Sequence, residues 1–221
     1  MSDVAPVFFP CDANTAVAQL AQLYQQRGRI ATVVAAKNVL PVVCDAVQAQ
    51  VAAKHGAITL HHEPQAQIQL LAIGAYQLQA VQRAAKVLQQ HGVAVSVVAI
   101  VEPARFRIAR DAQEANYVLD DEALAACIPY VQKRLFVCHT RPEVMTGVLR
   151  RLDTGYSQSR FVGYKNRGGT LDVFGMLYAN GITWAHLLSY CAELLAIDVH
   201  LWLNDQQVLA VKGLLQPDCL R

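Results

Sequence analysis

None of the six cysteines in this 221-residue chain forms a Cys-x-x-Cys pair, so no zinc knuckle or dithiol redox motif is written into it. Cys11, Cys44, Cys127, Cys138, Cys191 and Cys219 stand apart among mostly apolar neighbours. That usage belongs to a reducing compartment, where cysteine serves as a small hydrophobe, and it predicts a cytoplasmic protein. Lys and Arg form no run and the net charge is only +2, which argues against nucleic acid as a partner. No apolar stretch is long enough for a membrane span and no signal-peptide pattern opens the chain, so no membrane is expected either. Also missing are Gly-x-Gly-x-x-Gly, a phosphate loop ending in Gly-Lys-Ser/Thr, Gly-x-Ser-x-Gly and His-Glu-x-x-His. Each absence removes one self-contained site: dinucleotide, nucleotide triphosphate, serine hydrolase, zinc protease.

What is present is apolar material. Hydrophobic residues make up 54% and charged residues 16%, enough for a real core and incompatible with disorder as the main state. Val7–Pro10 reads as a short strand stopped by proline. Asp12 or Asn14 caps a helix whose apolar face is Val17, Leu20 and Tyr24, and Gly28 ends it. Ile30–Ala36 reads as a fully buried strand with Lys37 at its C-terminal end. Residues 38–67 read as a linker carrying one helix over Val42–Lys54 and a short extended stretch at Ile58–Leu60.

From Ile68 the text becomes regular. Strands are predicted over Ile68–Ile73, Val93–Val101, Leu135–Cys138 and Phe161-Val162. Helices are predicted over Gln77–Gln90 and Asp121–Ile128, from Pro142, from an N-cap at Thr170 to Asn180, and from Thr183 to about Ala196. Residues 199–221 carry no assignable pattern. Alternating strands and helices predict an α/β three-layer sandwich around a mostly parallel sheet. The expected division is a strand–helix–strand over 1–37, the linker 38–67 and an α/β domain over 68–221.

Few residues carry chemistry. Lys37 follows an apolar strand, which puts its ammonium at the edge where parallel sheets bind ligands. It reads either as a point charge for phosphate or as a lysine that closes the strand while its stem packs on apolar surface. His139 follows a strand of the later domain, at the end where parallel sheets face ligands, and reads as an anion or interface candidate. Its neighbour Cys138 diverges from it and reads as a buried thiol. His61-His62-Glu63 places adjacent imidazoles on opposite faces, a solvated connector rather than a metal site. Lys165 and Arg167 precede the Gly168-Gly169 bend and the start of a helix. That arrangement suits either an anion or interface contact, or a solvated loop. No residue is assigned a catalytic or metal-binding role.

The ordered motifs resemble the C-terminal portion of the phosphoketolases. Pro10-Cys11-Asp12-Ala13-Asn14 is similar to that family's Pro-x-Asp-Ala/Ser-Asn, and Val34-Ala35-Ala36-Lys37 to its Val-Ala-Gly-Lys. Phe136–Pro142 is similar to its Phe-x-x-His-x-x-Pro. Val162–Thr170 is similar to its Val-x-Gly-Tyr-Lys-x-x-Gly-Thr with one inserted glycine. Phe174, Met176, Asn180 and His186 continue in register. The sequence departs from the family at Ala36, at Asn38-Val39 and at Lys165-Asn166-Arg167.

The resemblance implies a transketolase C-terminal-domain-like fold and a dimer, or assembly with thiamine-binding domains. It makes Lys37 a ligand of the sugar-phosphate substrate. It also implies a reaction that converts a ketose phosphate and phosphate to acetyl phosphate and an aldose phosphate. The Gly-Asp-Gly motif of thiamine enzymes is absent. Thiamine diphosphate and Mg are therefore expected on other domains of the complete enzyme, with none held by this chain and no activity in isolation. A free-standing, non-catalytic binding or assembly module of the same fold is the rival expectation.

Overall fold

The structure is a computed structural model, and it describes residues 4–165 and 170–221. In chain order the elements are β1 (Val7–Phe8), α1 (Ala13–Tyr24), β2 (Thr32–Val33), α2 (Ala46–His55), β3 (Ala57–His61), β4 (Ile68–Ile73), α3 (Ala75–Gln90) and β5 (Val95–Ile100). There follow α4 (Ala112–Ala115), α5 (Asp121–Cys127), β6 (Arg134–Cys138), α6 (Pro142–Val148), β7 (Ser159–Gly163), α7 (Val173–Ala179), α8 (Trp184–Leu195) and α9 (Asp205–Val211). Short 3-10 turns fill several connections, among them Pro103–Phe106.

Five strands form the main sheet in the order β3-β5-β4-β6-β7. All neighbours are parallel except β3, which runs antiparallel on β5. β4 shows why both faces are covered. Leu70 and Ala72 pack with α3 and α8 on one side, Leu71 and Ile73 with Phe106, Phe136 and Met145 on the other, because successive strand residues point to opposite faces. The α/β three-layer arrangement expected from the alternation is the one observed.

Several local expectations change. Ile30–Ala36 is not a buried strand: only Thr32-Val33 is paired, with β1 as its partner, and Ile30 is 81% exposed. Apolar composition alone cannot bury a strand when no layer covers it. The segment 38–67 contributes α2 and also β3, an edge strand of the main sheet. Asp172, not Thr170, caps α7, its carboxylate accepting from the Gly175 amide at 2.6 Å. A carboxylate two residues closer to the first free N–H groups displaces the hydroxyl.

The tail from Val199 is ordered by α9 and two 3-10 turns. The Trp184 indole N–H donates to the Leu220 carbonyl at 2.8 Å, and the Arg83 guanidinium covers the indole face at 4.3 Å. Among the described residues no helix is long and apolar enough to cross a membrane.

Candidate functional site

The crossovers leaving β4 and β6 go to opposite faces, α3 to one layer and α6 to the other. The ends of β4 and β6 are therefore a switch point of the strand order, the place where parallel sheets bind ligands, and the two strands stay paired there to Ile73 and Cys138. Gly74, the residue after β4, has φ +109°, and a Cβ there would sit 2.4 Å from Gln77 Oε1 and 3.0 Å from His139 Cβ. This is a close approach that only glycine permits. The His139 amide donates to the Ile73 carbonyl at 2.9 Å, which fixes the residue at the end of β6. Its ring lies edge-on to Tyr164, centroids 5.0 Å apart, and 6.0 Å from Phe9. Burial holds its pKa below the ordinary histidine range, so the imidazole is neutral near pH 7.

Gln77, at the third position of α3, is fully buried and neither amide atom has a hydrogen-bond partner. Burial raises the Tyr164 phenol pKa. The nearby Gln77 amide opposes that rise without reaching hydrogen-bond geometry.

Lys37 belongs to the other, two-stranded sheet. It follows β2 at a bend and is exposed. The next residue, Asn38, donates its amide to the Tyr76 hydroxyl at 3.3 Å, so this bend rests on the first turn of α3. A cavity of about 300 Å³ lies beside it, bounded by Ala35, Ala36 and Asn38, by Ala13 of α1 and by Ala75. Through Tyr76 and Gly74 the start of α3 thus adjoins both the bend after Lys37 and His139. Lys165 is exposed, and its amide donates to Asn180 Oδ1 at 2.7 Å. It adjoins Tyr164, and through it His139. Arg167 and the Gly168-Gly169 bend lie outside the described residues.

Burial pushes the Cys138 thiol pKa far up, which removes it as a nucleophile. Asp12 caps α1, one of the two alternatives read from the sequence; what sequence reasoning missed is its hold on the Val43 and Cys44 amides. Its Oδ1 accepts from the Thr15 amide and hydroxyl, and its Oδ2 from the Val43 and Cys44 amides, all at 2.7–2.8 Å. Burial alone would raise its pKa; these hydrogen bonds outweigh it and hold the carboxyl below the usual range. Cys11 and Cys44 lie beside it, with ligand-type atoms within 4.8 Å of one another. The carboxylate's lone pairs are already taken by four donors, so the cluster is a structural joint. Its one sequence signal was a capping residue at the start of a helix.

No family model and no curated relative matches the chain. Solved structures do. A Pichia stipitis transketolase superposes with a TM-score of 0.64 at 18% identity, covering 87% of this chain and 25% of that one. A Leishmania mexicana transketolase gives 0.61 at 15% identity over 87% and 25%. A split-gene transketolase described as an inactive beta4 tetramer gives 0.60 at 18% identity, over 87% of this chain and 57% of that one. The chain thus spans about a quarter of the length of the first two. At these identities the likeness is one of fold, that of a transketolase C-terminal domain.

Proposed function

We propose that this chain is the closing lobe of a thiamine-diphosphate-dependent enzyme of the phosphoketolase kind, which turns a ketose phosphate and phosphate into acetyl phosphate and an aldose phosphate. On this reading it acts only when assembled with thiamine-binding domains. One observation carries the proposal. β1 and β2 form a parallel sheet of only two strands, and around them Val7, Val17, Tyr24, Ile30 and Val39 are exposed, Tyr24 at 83% and Val39 at 100%. Parallel sheets are stable only when extended and covered on both faces. A two-stranded remnant ringed by apolar side chains is therefore a surface that further strands and helices would complete. The thiamine-binding domain implied by the family resemblance is the occupant we assign to it.

The residues present do not fit thiamine diphosphate and its metal. Mg needs several oxygen ligands, whereas the described cluster of ligand-type side chains offers two thiols and an Asp12 carboxylate already saturated by amide and hydroxyl donors. The chain's own contribution is binding: the exposed Lys37 ammonium at the sheet edge supplies a point charge for the substrate's phosphate. The departures at Ala36 and Asn38-Val39, beside that lysine, favour the rival reading of a non-catalytic assembly module.

Two assays separate the readings. The isolated chain should form no acetyl phosphate from fructose 6-phosphate, phosphate, thiamine diphosphate and Mg; formation would overturn the proposal. In complex with thiamine-binding domains, acetyl phosphate should appear, and Lys37→Ala should raise KM for the sugar phosphate by roughly tenfold with a smaller effect on kcat. An unchanged KM would remove Lys37 from the site, and an inactive complex would favour the assembly module.

A further inference from the structure

The loop from α1 to β2 carries Arg27, Gly28 and Arg29. Gly28 takes φ +73° at the turn, and the Ile30 amide ties the loop to the Val4 carbonyl at 3.0 Å. The loop faces the Pro103–Phe106 turn and Tyr117 across a crevice. Two cavities of about 340 and 440 Å³ adjoin there and share Gln26, Arg29, Arg105 and Tyr117. The smaller is walled by Arg27, Arg29, Arg105 and the amide side chains of Gln113 and Asn116. The larger adds apolar floor from Phe8, Leu23 and Ala53, with Lys54 at its rim.

The electrostatics are one-sided. Among the residues lining the two cavities, Arg27, Arg29, Arg105 and Lys54 are cationic and Glu102 is the single carboxylate. Glu102 is buried, its pKa is raised by that burial, and it accepts a hydrogen bond from the Tyr117 phenol. It lines the larger cavity and pairs with the Arg105 guanidinium, Nε to Oε2 at 4.0 Å. Arg105 is pre-set as a wall: its guanidinium donates to the Tyr117 carbonyl at 2.6 Å and to the Lys54 carbonyl at 2.7 Å, 5.1 Å from the Tyr117 ring centre. Arg29 lies 5.6 Å from that ring centre and donates to Gln26 Oε1 at 2.6 Å. With Glu102 offset by Arg105, the charges of Arg27, Arg29 and Lys54 have no carboxylate opposite them among the lining residues, and in a chain with a net charge of only +2 they make a local anion trap. Two arginines offer forked donors that suit phosphate oxygens.

We propose that this crevice binds a phosphate monoester. The dianionic head sits in the smaller cavity between Arg27 and Arg29, and a small polar organic body occupies the larger one over Tyr117. The proposal rests on this crevice alone, independent of Lys37 and of assembly with other domains.

The test is isothermal titration of the isolated chain at constant ionic strength with glycerol 3-phosphate, inorganic phosphate and glycerol. Glycerol 3-phosphate should bind, inorganic phosphate more weakly, and glycerol not at all. Arg27→Ala/Arg29→Ala should weaken glycerol 3-phosphate by at least roughly tenfold, and Arg29→Lys by less, because lysine keeps the charge but loses the fork. Both arginines are exposed, so the fold is not at stake, and circular dichroism should be unchanged. Lys37→Ala should leave the affinity as it was, which keeps this outcome separate from that of the acetyl phosphate assay. The proposal is overturned by absence of binding, by unchanged affinity in the double variant, or by loss of binding in Lys37→Ala. Equal affinity for inorganic phosphate would overturn the assignment of the larger cavity to the organic body.

Discussion

His186 sits at the third position of α8, its Nδ1 2.8 Å from the Thr183 hydroxyl and its ring edge-on to Tyr178 with centroids 5.5 Å apart. Burial lowers its pKa to about 4, against a small opposing effect of the Val211 backbone. A helix N-terminus disfavours a cation as well, so the ring is neutral in the folded state. The unfolded chain takes up the proton near pH 6.5 and the folded chain does not. Stability is therefore complete above pH 6.5 and falls as the pH drops toward 4, by at most about 3 kcal/mol from this residue. His139, whose pKa is lowered by burial in the same way, adds to the same trend. Urea titrations at pH 7.5 and pH 5 should show the loss in the native protein and a smaller loss in His186→Gln. An equal loss in the two would mean that His186 is not the group being titrated. That Lys37 follows β2 and His139 follows β6 was legible because each directly follows an apolar run. Gln77 and Asp12 were not, because their importance lies in which partners they have or lack, and partners come from distant segments.

At the scale of elements, Asp12 acts on two helices at once. It caps α1 through Thr15 and holds the approach to α2 through the Val43 and Cys44 amides. Asp12→Ala leaves four donors without their acceptor in a mostly buried position and should cost about 2–4 kcal/mol. Urea unfolding measures this, and a loss below roughly 1 kcal/mol would mean that water replaces the carboxylate. Gly163 ends β7, and a Cβ there would meet the Thr140 carbonyl oxygen at 2.3 Å and that of Cys138 at 2.8 Å. Gly163→Ala should therefore force β7 away from the end of β6 and destabilise the domain by about 2 kcal/mol or more, again read by urea unfolding. Helices with a clean apolar stripe, such as α3 and α8, were legible in outline from sequence. The β2 strand was misjudged for length and burial, because a strand's length is set by its neighbours, and β2 has one.

For the whole molecule, the unfinished β1–β2 sheet is the feature that decides the proposed role. Tyr24 and Ile30 are exposed, so Tyr24→Asp/Ile30→Asp should change the isolated domain's stability by no more than about 0.5 kcal/mol per site. The same change should weaken capture of thiamine-binding domains by at least tenfold in a pull-down or titration. Capture at full strength would mean that the surface serves something else. The layered α/β class, the parallel sheet and the apolar core followed from sequence alone, because periodicity and strand apolarity are local properties that report which faces must be buried. Tertiary structure alone decided which loops meet. It joined the α1–β2 arginines to Arg105 and Tyr117, put the edge glycine Gly74 against His139, and left one small sheet with only part of its apolar surface covered. The reason is physical: contact between segments tens of residues apart depends on strand order and crossover side, and neither leaves a mark in local composition.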